Sequence, residues 1–167
     1  MRRILAFGLV LLTAVVLQTT VFAELTLFHV APDLILLAVI SLALINGPAA
    51  GAAAGFFGGV TRDLLLVSPK GITALAYVAV GYAVGSARPH IQATSVVVPV
   101  AAVFGGSLAG TLLYVLIGAL LGRAPHPLER VAETALLTAA YNTLLAPLAY
   151  PAMRKLVSLY RRDSVYR

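Results

Sequence analysis

The stretch Gly47–Asp63, which reads GPAAGAAAGFFGGVTRD, indicates how the chain folds. Glycine recurs every four positions within it, and the same spacing then reaches an aspartate: Gly47, Gly51, Gly55, Gly59 and Asp63. Positions four apart lie nearly above one another on an α-helix, so these residues form a smooth strip that leads to a carboxylate. Glycine destabilises a water-exposed helix, but in a bilayer it lets two helices approach closely. The stretch therefore predicts a membrane helix that packs tightly against a neighbour.

The composition of the whole chain is also typical of a membrane protein. Of its 167 residues, 60% are hydrophobic and 11% are charged, and the mean hydropathy is +0.97. A soluble domain is about 45–50% apolar and about 25% charged. The chain has no cysteine, which excludes disulfides and cysteine-based metal sites. Because no catalytic, metal-binding or phosphate-loop motif occurs in a usable context, we predict no enzyme, metal or cofactor.

Apolar runs and turn signals divide the chain into six predicted spans within one integral membrane domain, residues 1–167. Their approximate bounds are 4–23, 33–46, 48–67, 71–87, 96–121 and 130–150. A span needs about 20 residues, so the second run is short for a crossing. Pro147 and Pro151 are expected to break or kink the last helix. The predicted fold is an all-α polytopic membrane protein with six transmembrane helices in a compact bundle.

The basic residues predict the orientation of these spans. With six spans and the amino terminus inside, eight of the 12 lysines and arginines face the cytoplasm, while Lys70, Arg123 and Arg130 face out. Cytoplasmic loops carry an excess of basic residues, which favours this orientation and places both termini in the cytoplasm. The basic tail suits anionic lipid headgroups better than nucleic acid.

Polar side chains inside the spans are the candidates for a site: Gln18, Arg62, Asp63, Glu133 and Asn142. Charged residues in a membrane usually face the bundle interior and pair. Arg62 and Asp63 point about 100° apart on a helix, so each is expected to find a partner elsewhere, with Glu133 a candidate for Arg62. The group is compatible with structural glue, a pocket or a docking site.

Two further features accompany this group. Asp33, at the start of the second span, is expected to complement the helix dipole. A four-residue spacing also recurs in the fourth and fifth spans, through Tyr77, Gly81 and Gly85 and then through Gly106, Gly110, Tyr114, Gly118 and Gly122. Two glycine-lined helices in a small chain favour a tight bundle, with the tyrosines packing at the membrane interface.

Several short motifs occur in a fixed order between residues 18 and 85. They are Gln18, Pro32-Asp33-Leu34, Gly47-Pro48, Gly51, Gly55-Phe56, Gly58, Asp63, Ser68-Pro69, Gly71, Ala74-Leu75, Tyr77, Gly81-Tyr82 and Gly85. In this combination the chain resembles the MreD family of rod shape-determining membrane proteins. The carboxyl half resembles the family mainly in length, hydropathy, Ala146-Pro147-Leu148 and its basic end. Arg62 is not part of the family pattern, so the resemblance implies no role for it.

The resemblance implies a non-enzymatic scaffold of the cell-elongation machinery in the bacterial inner membrane. Such proteins bind MreC, a periplasmic protein with a single span. With MreB, RodA and a class B penicillin-binding protein, they support lateral peptidoglycan synthesis and rod shape. The family is also similar in architecture to the S components of energy-coupling-factor transporters, six-helix bundles with an outward-facing pocket.

That similarity leaves two alternatives to the scaffold. A small-solute (vitamin-type) binding subunit of a transporter predicts a ligand cavity lined by several polar groups, whereas a scaffold fills that space with side chains or a partner segment. A purely lipid-interacting protein would bury its glycine strips entirely within the bundle.

We expect a groove in the outer half of the bundle, near the glycine strip, to receive the transmembrane or juxtamembrane helix of MreC. Leucine at Gly55 or Gly59 is then expected to weaken partner capture and leave insertion intact. The residues expected to bind the partner or pack the bundle are Gly51, Gly55, Gly59, Asp63, Arg62, Asp33, Gln18, Tyr77 and Gly81.

Overall fold

In a computed structural model, six α-helices make up most of the described residues, which are 2–20, 30–65, 71–90, 97–122 and 127–162. The helices are α1 (Arg2–Thr20), α2 (Leu34–Asn46), α3 (Pro48–Leu65), α4 (Ile72–Ala87), α5 (Val97–Leu120) and α6 (Leu128–Arg162). A 3₁₀ turn, Arg88–His90, follows α4. The prediction of an all-helical fold is confirmed, and one helix falls on each of the six predicted spans. Residues 21–23, 66–67 and 96 of those spans lie outside the described residues.

The core of the bundle is α2, which contacts each of the other five α-helices. Its residues are apolar on every side, and 11 of its 13 residues are buried. A helix that is hydrophobic all round has no face for solvent, so it lies at the centre. The helix is capped by Gly47, whose φ of +95° favours glycine and whose N–H donates to the carbonyl of Ala43 at 2.8 Å.

The glycine strip of α3 packs directly on α4. A Cβ atom added at Gly51, Gly55 or Gly59 would lie closer than 3.0 Å to the backbone of α4. The two helices run antiparallel, since Gly51 lies beside Gly81 and Gly59 lies beside Ala74. Contact between the two backbones leaves no space for a second chain. The space along the glycine strip, where the sequence predicts a groove for a partner helix, is therefore filled by α4.

The glycines of α5 likewise allow close packing, in this case against side chains of α2. A Cβ atom at Gly106 would lie 2.8 Å from Cδ1 of Ile40, and one at Gly110 would lie 2.8 Å from Cδ2 of Leu36. The branched side chains of α2 thus occupy the space that glycine leaves on α5. This packing brings the middle of α5 against the buried central helix.

The last helix is longer than predicted. It runs from Leu128 to Arg162 through both Pro147 and Pro151, so of the two predicted outcomes, a break or a kink, the break does not occur. Proline fixes φ near −65°, a value that a helix can accept. Turns on both sides of the prolines pack against the core, through the buried Ala146 and the half-buried Met153, and this packing keeps the helix continuous.

Among the described helices, α5 is both long and apolar enough to cross a membrane, with a mean hydropathy of 2.0. Phe7–Thr20 of α1, together with α2 and α4, is apolar but shorter. Large apolar side chains are exposed on the outside of the bundle, for example Leu120 (78%), Leu144 (79%) and Leu148 (77%).

Candidate functional site: a polar hub at the start of the central helix

The first turn of α2 lies inside the bundle, where its N–H groups need partners. The first N–H groups of a helix have none within their own helix, and burial makes an unpaired N–H costly. The N–H of Asp33 donates to Oδ1 of Asn142 at 2.9 Å, and the N–H of Ile35 donates to Oε1 of Gln18 at 3.2 Å. The N–H of Leu36 donates to Oδ1 of Asp33 at 3.0 Å, which makes Asp33 the N-cap. Side chains of α1 and α6 thus anchor the buried end of α2.

The second carboxylate oxygen of Asp33 connects α2 to α3 and α4. Oδ2 accepts hydrogen bonds from Nη1 of Arg62 and from the hydroxyl of Tyr77, and Nη1 of Arg62 also donates to that hydroxyl. The guanidinium carbon of Arg62 lies 5.6 Å from the centroid of the Tyr77 ring. Asp33 is 4% exposed and Tyr77 is 1% exposed, whereas the side chain of Arg62 is 29% exposed. The ion pair therefore neutralises a buried carboxylate, which would be unfavourable alone.

Asn142 extends this network to α5. Its Nδ2 donates to Oγ of Ser107 at 2.9 Å, and both residues are fully buried. The network thus takes one side chain from each of α1, α3, α4, α5 and α6 and joins them at the cap of α2. We call this set the polar hub: Gln18, Asp33, Arg62, Tyr77, Ser107 and Asn142.

Asp63 is buried beside the α3–α4 contact and has a different set of bonds. Its Oδ2 accepts from the N–H of Gly71 at 2.8 Å and from the N–H of Ala74 at 3.3 Å. Gly71 is the N-cap of α4 and has no side chain to bond the free N–H groups of the first turn. The carboxylate of Asp63 takes over this capping role from the neighbouring helix, so it holds α4 against α3.

A cavity of about 320 Å³ opens directly on the polar hub, and we call it the hub cavity. Asp33, Leu36, Arg62 and Tyr77 line it at the hub. Most of its remaining lining comes from α4, α5 and α6, and it includes five residues with hydroxyl groups: Thr73, Thr111, Tyr114, Thr134 and Thr138. Arg130, near the start of α6, also lines the cavity. The arrangement can bind a small polar group but includes no set of residues typical of catalysis.

The comparison with protein families decides where the chain belongs. The model of the family described as rod shape-determining protein MreD matches residues 1–160. The chain belongs to the MreD family. The match includes the carboxyl half, where the motif resemblance is weak, and it indicates a role in rod shape determination. No curated protein and no solved structure matches this MreD-family chain, so its expected likeness to S components stays a prediction.

The residues that the sequence predicts for the MreD-family site fall into two groups. Gln18, Asp33, Arg62 and Tyr77 meet in the polar hub. The remaining predicted residues lie at the α3–α4 contact: Gly51, Gly55, Gly59, Asp63 and Gly81. The suggested pairing of Arg62 with Glu133 is replaced by a pairing with Asp33, because Glu133 is exposed on α6 while Asp33 is buried beside Arg62.

Sequence reasoning about this MreD-family chain missed Ser107 and gave Asn142 no partner. The available signal was that each is a small polar residue within a long apolar helix, where an unpaired polar group is unfavourable. The hydroxyl residues of the hub cavity were missed as well, because threonine is common in apolar helices. Within the described residues, no group of three or more histidine, cysteine, aspartate or glutamate side chains could hold a metal ion.

A second cavity of this MreD-family chain, about 680 Å³, lies between α1 and α3 on the side of the bundle. We call it the lateral groove. Its lining is almost entirely apolar and includes small residues on α3: Phe7, Gly8, Leu11, Leu12, Val15, Ala50, Ala53, Ala54, Phe57 and Thr61. The groove lies on the outside of the bundle, away from the glycine strip that α4 covers.

Proposed function

We propose that this protein is a non-enzymatic membrane scaffold of the cell-elongation machinery that captures the transmembrane helix of MreC in its lateral groove. All six helices cross the inner membrane, with both termini in the cytoplasm. Through MreC, the scaffold acts with MreB, RodA and a class B penicillin-binding protein to support lateral peptidoglycan synthesis. The observation that carries this proposal is the family match over residues 1–160, joined to an apolar lateral groove of helix-like dimensions.

The outer surface of the bundle supports the membrane location. Large exposed apolar side chains occur on every helix except the buried α2, including Leu12, Phe57, Leu75, Leu116 and Leu144. Soluble monomers rarely expose large contiguous apolar patches, whereas lipid favours them. α2 has 13 residues, fewer than the about 20 of a span that faces lipid, but its position inside the bundle removes it from contact with lipid, so its length need not match the bilayer thickness.

The dimensions of the lateral groove support a helix as its occupant. One helical turn, taken as a cylinder about 10 Å wide and 5.4 Å tall, fills about 420 Å³. The groove of about 680 Å³ accommodates more than one turn, whereas the hub cavity of about 320 Å³ accommodates less than one. Ala50, Ala53 and Ala54 line the α3 side, and small residues let membrane helices approach closely.

The polar hub supports this role by keeping the two walls of the groove in place. Gln18 of α1 and Arg62 of α3 both bond to the first turn of α2, so both helices that form the groove are attached to one buried element. A preformed groove binds with a smaller loss of conformational entropy than a groove that has to assemble.

Co-purification with MreC in a mild detergent tests the proposal. Ala53→Leu places a larger side chain in the lateral groove, and we expect it to reduce the captured MreC on the order of tenfold, the effect of about 1.4 kcal/mol. Ala140→Leu is the matched control, because Ala140 is an exposed alanine on α6. We expect this control to capture as much MreC as the unmodified protein. Equal capture by the two variants would overturn the assignment of the groove.

Cysteine crosslinking then locates the contact. The chain has no cysteine of its own, so every disulfide it forms comes from the introduced residue. We expect Ala53→Cys to form a disulfide with a cysteine in the MreC transmembrane segment. Leu148→Cys serves as the competing position, since Leu148 lines a different apolar groove, about 400 Å³, between α1, α2 and α6. Crosslinks at position 148 without any at position 53 would assign the contact to that other groove and contradict the proposal.

The hub cavity favours a second candidate function, a small-solute (vitamin-type) binding subunit. Its volume of about 320 Å³ and its polar lining meet the requirement for a ligand pocket, whose usual range is about 300–1,000 Å³. The two functions differ in what purifies with the protein. If the protein purifies without MreC but with a bound vitamin-type molecule, the solute-binding function replaces the scaffold function.

A further inference from the structure

We infer that the hub cavity is a binding site for a phosphate-type oxyanion, carried by a lipid headgroup or by a free small molecule. Arg62 binds the anion at the polar hub, and Arg130 draws it in from the start of α6. The inference rests on the hub cavity alone and does not depend on the capture of MreC, whose proposed groove lies between α1 and α3.

The charges that line the hub cavity favour an anion. The charged residues in its lining are Asp33, Arg62 and Arg130, which together carry one net positive charge. Both carboxylate oxygens of Asp33 already accept hydrogen bonds, from the backbone of Leu36 and from the side chains of Arg62 and Tyr77. The carboxylate is therefore occupied, and the lining residues that the structure describes include no second carboxylate to pair with Arg130. A low-dielectric cavity lined by one excess charge concentrates ions of the opposite sign.

Arg62 keeps hydrogen-bond donors for a ligand. Its bonds to Asp33 and Tyr77 both leave from Nη1. A guanidinium has five N–H donors in a planar fork, and this fork matches the oxygen atoms of a phosphate. The hydroxyl groups of Thr73, Tyr114 and Thr134, which also line the cavity, add neutral donors. Hydrogen bonds from a guanidinium to phosphate oxygens are charge-assisted and strong, and each hydroxyl group can add one neutral donor.

The positions along α6 separate the two arginines. Asn142 bonds to the polar hub, and Arg130 precedes it by 12 residues, or about 18 Å of helix. One cation therefore lies at the hub and the other lies toward the start of α6. Glu129 directly precedes Arg130 and Glu133 lies about one turn further along α6; both are exposed, and neither is among the described lining residues. The cavity holds less than one helical turn, so a headgroup or a small phosphorylated molecule suits it better than a protein segment.

Binding to the full-length protein in a neutral detergent tests the site. The two probes are a short-chain phosphatidylglycerol and glycerol 3-phosphate, each titrated by calorimetry. We expect Arg130→Gln to weaken binding of the preferred probe on the order of tenfold, because it removes one of the two cations that line the cavity. Arg130 is exposed and outside the polar hub, so this variant keeps the fold. Arg154→Gln is the matched control, because Arg154 is an exposed arginine at the far end of the same helix.

The two probes distinguish a lipid headgroup from a free phosphate compound. If only phosphatidylglycerol binds, and does so in an Arg130-dependent way, the ligand is a lipid headgroup; if glycerol 3-phosphate also binds, the ligand is a free phosphate compound. No binding of either probe would overturn the inference, and so would an equal loss in the two arginine variants, which indicates general charge attraction. Capture of MreC by Arg130→Gln is measured in parallel. If Arg130→Gln captures MreC normally but no longer binds the anion, the anion site and the capture of MreC are independent functions.

Discussion

Asp33 joins four helices through a single residue. Its carboxylate caps α2 and accepts bonds from Arg62 of α3 and Tyr77 of α4, while its N–H donates to Asn142 of α6. A buried carboxylate is unfavourable unless it is paired and hydrogen-bonded, and hydrogen bonds in one buried network strengthen one another. The polar hub is therefore expected to respond to substitution as a unit.

A double-mutant cycle on Asp33 and Arg62 measures this dependence. We expect Asp33→Asn to reduce the free energy of unfolding by about 2–3 kcal/mol, less than the about 3–5 kcal/mol of a fully buried pair, because Arg62 is 29% exposed. Arg62→Gln should recover part of that loss in the double variant, with a coupling energy of roughly 1–3 kcal/mol. Unfolding is followed in mixed micelles.

Glu133→Gln is the control for this cycle, since Glu133 is an exposed carboxylate on α6. An exposed substitution away from such contacts is expected to change the free energy of unfolding by less than about 0.5 kcal/mol. Strictly additive effects of Asp33→Asn and Arg62→Gln would show that the two side chains do not act as a pair.

At the scale of the element, the α3–α4 pair is held by backbone contact rather than by large side chains. Gly55 lies against the backbone at Tyr77 and Val78, and Gly59 lies against that at Thr73 and Ala74. Asp63 then caps the first turn of α4 at the end of the same strip. Close approach, and not a free groove, is the reason that this helix tolerates so much glycine.

Gly55→Ala and Gly105→Ala form a matched pair that tests this explanation. A Cβ atom at Gly55 would lie 2.7 Å from the backbone nitrogen of Val78, whereas one at Gly105 would have nothing within 4 Å. We expect Gly55→Ala to destabilise the bundle by about 1–3 kcal/mol through overpacking. Gly105→Ala should raise stability by up to about 1 kcal/mol, because alanine favours helix. Thermal unfolding in detergent measures both, and equal shifts would contradict the close contact at Gly55.

At the scale of the whole molecule, the charges are distributed unequally between the two ends of the bundle. α1 begins with Arg2 and Arg3, Arg88 directly follows α4, and the last turns of α6 carry Arg154 and Lys155. In the proposed orientation these residues face the cytoplasm, which agrees with the positive-inside rule. The polar hub and the hub cavity then face the outer half of the membrane.

Labelling of single cysteines tests this orientation. Leu121 follows α5 and is 63% exposed, and Ser158 is exposed near the end of α6. We expect a membrane-impermeant thiol reagent to label Leu121→Cys in intact spheroplasts and to label Ser158→Cys only after permeabilisation. The chain has no other cysteine to react. Labelling of Ser158→Cys in intact spheroplasts would contradict the proposed topology, because it would place the end of α6 outside the cytoplasm.

Local patterns in the sequence determined the helical class, the position of the helices and the residues that carry the MreD motifs. Hydrophobic runs, glycine spacing and turn signals act over a few residues, so they can be recognised without knowing what packs where. The same patterns identified Gln18, Asp33, Arg62 and Tyr77 as candidates, because polar groups in apolar helices require partners.

Only the tertiary structure decided which partners these groups have. Arg62 pairs with Asp33, 29 residues away, and Asn142 reaches Asp33 across 109 residues, separations that no local pattern specifies. It also decided that α4 fills the glycine strip, while the lateral groove and the hub cavity stay open elsewhere on the bundle. The physical reason is the burial of the whole α2 helix. The polar groups of its first turn then need hydrogen-bond partners on the surrounding helices. The packing of those helices determines which side chains are close enough to be those partners.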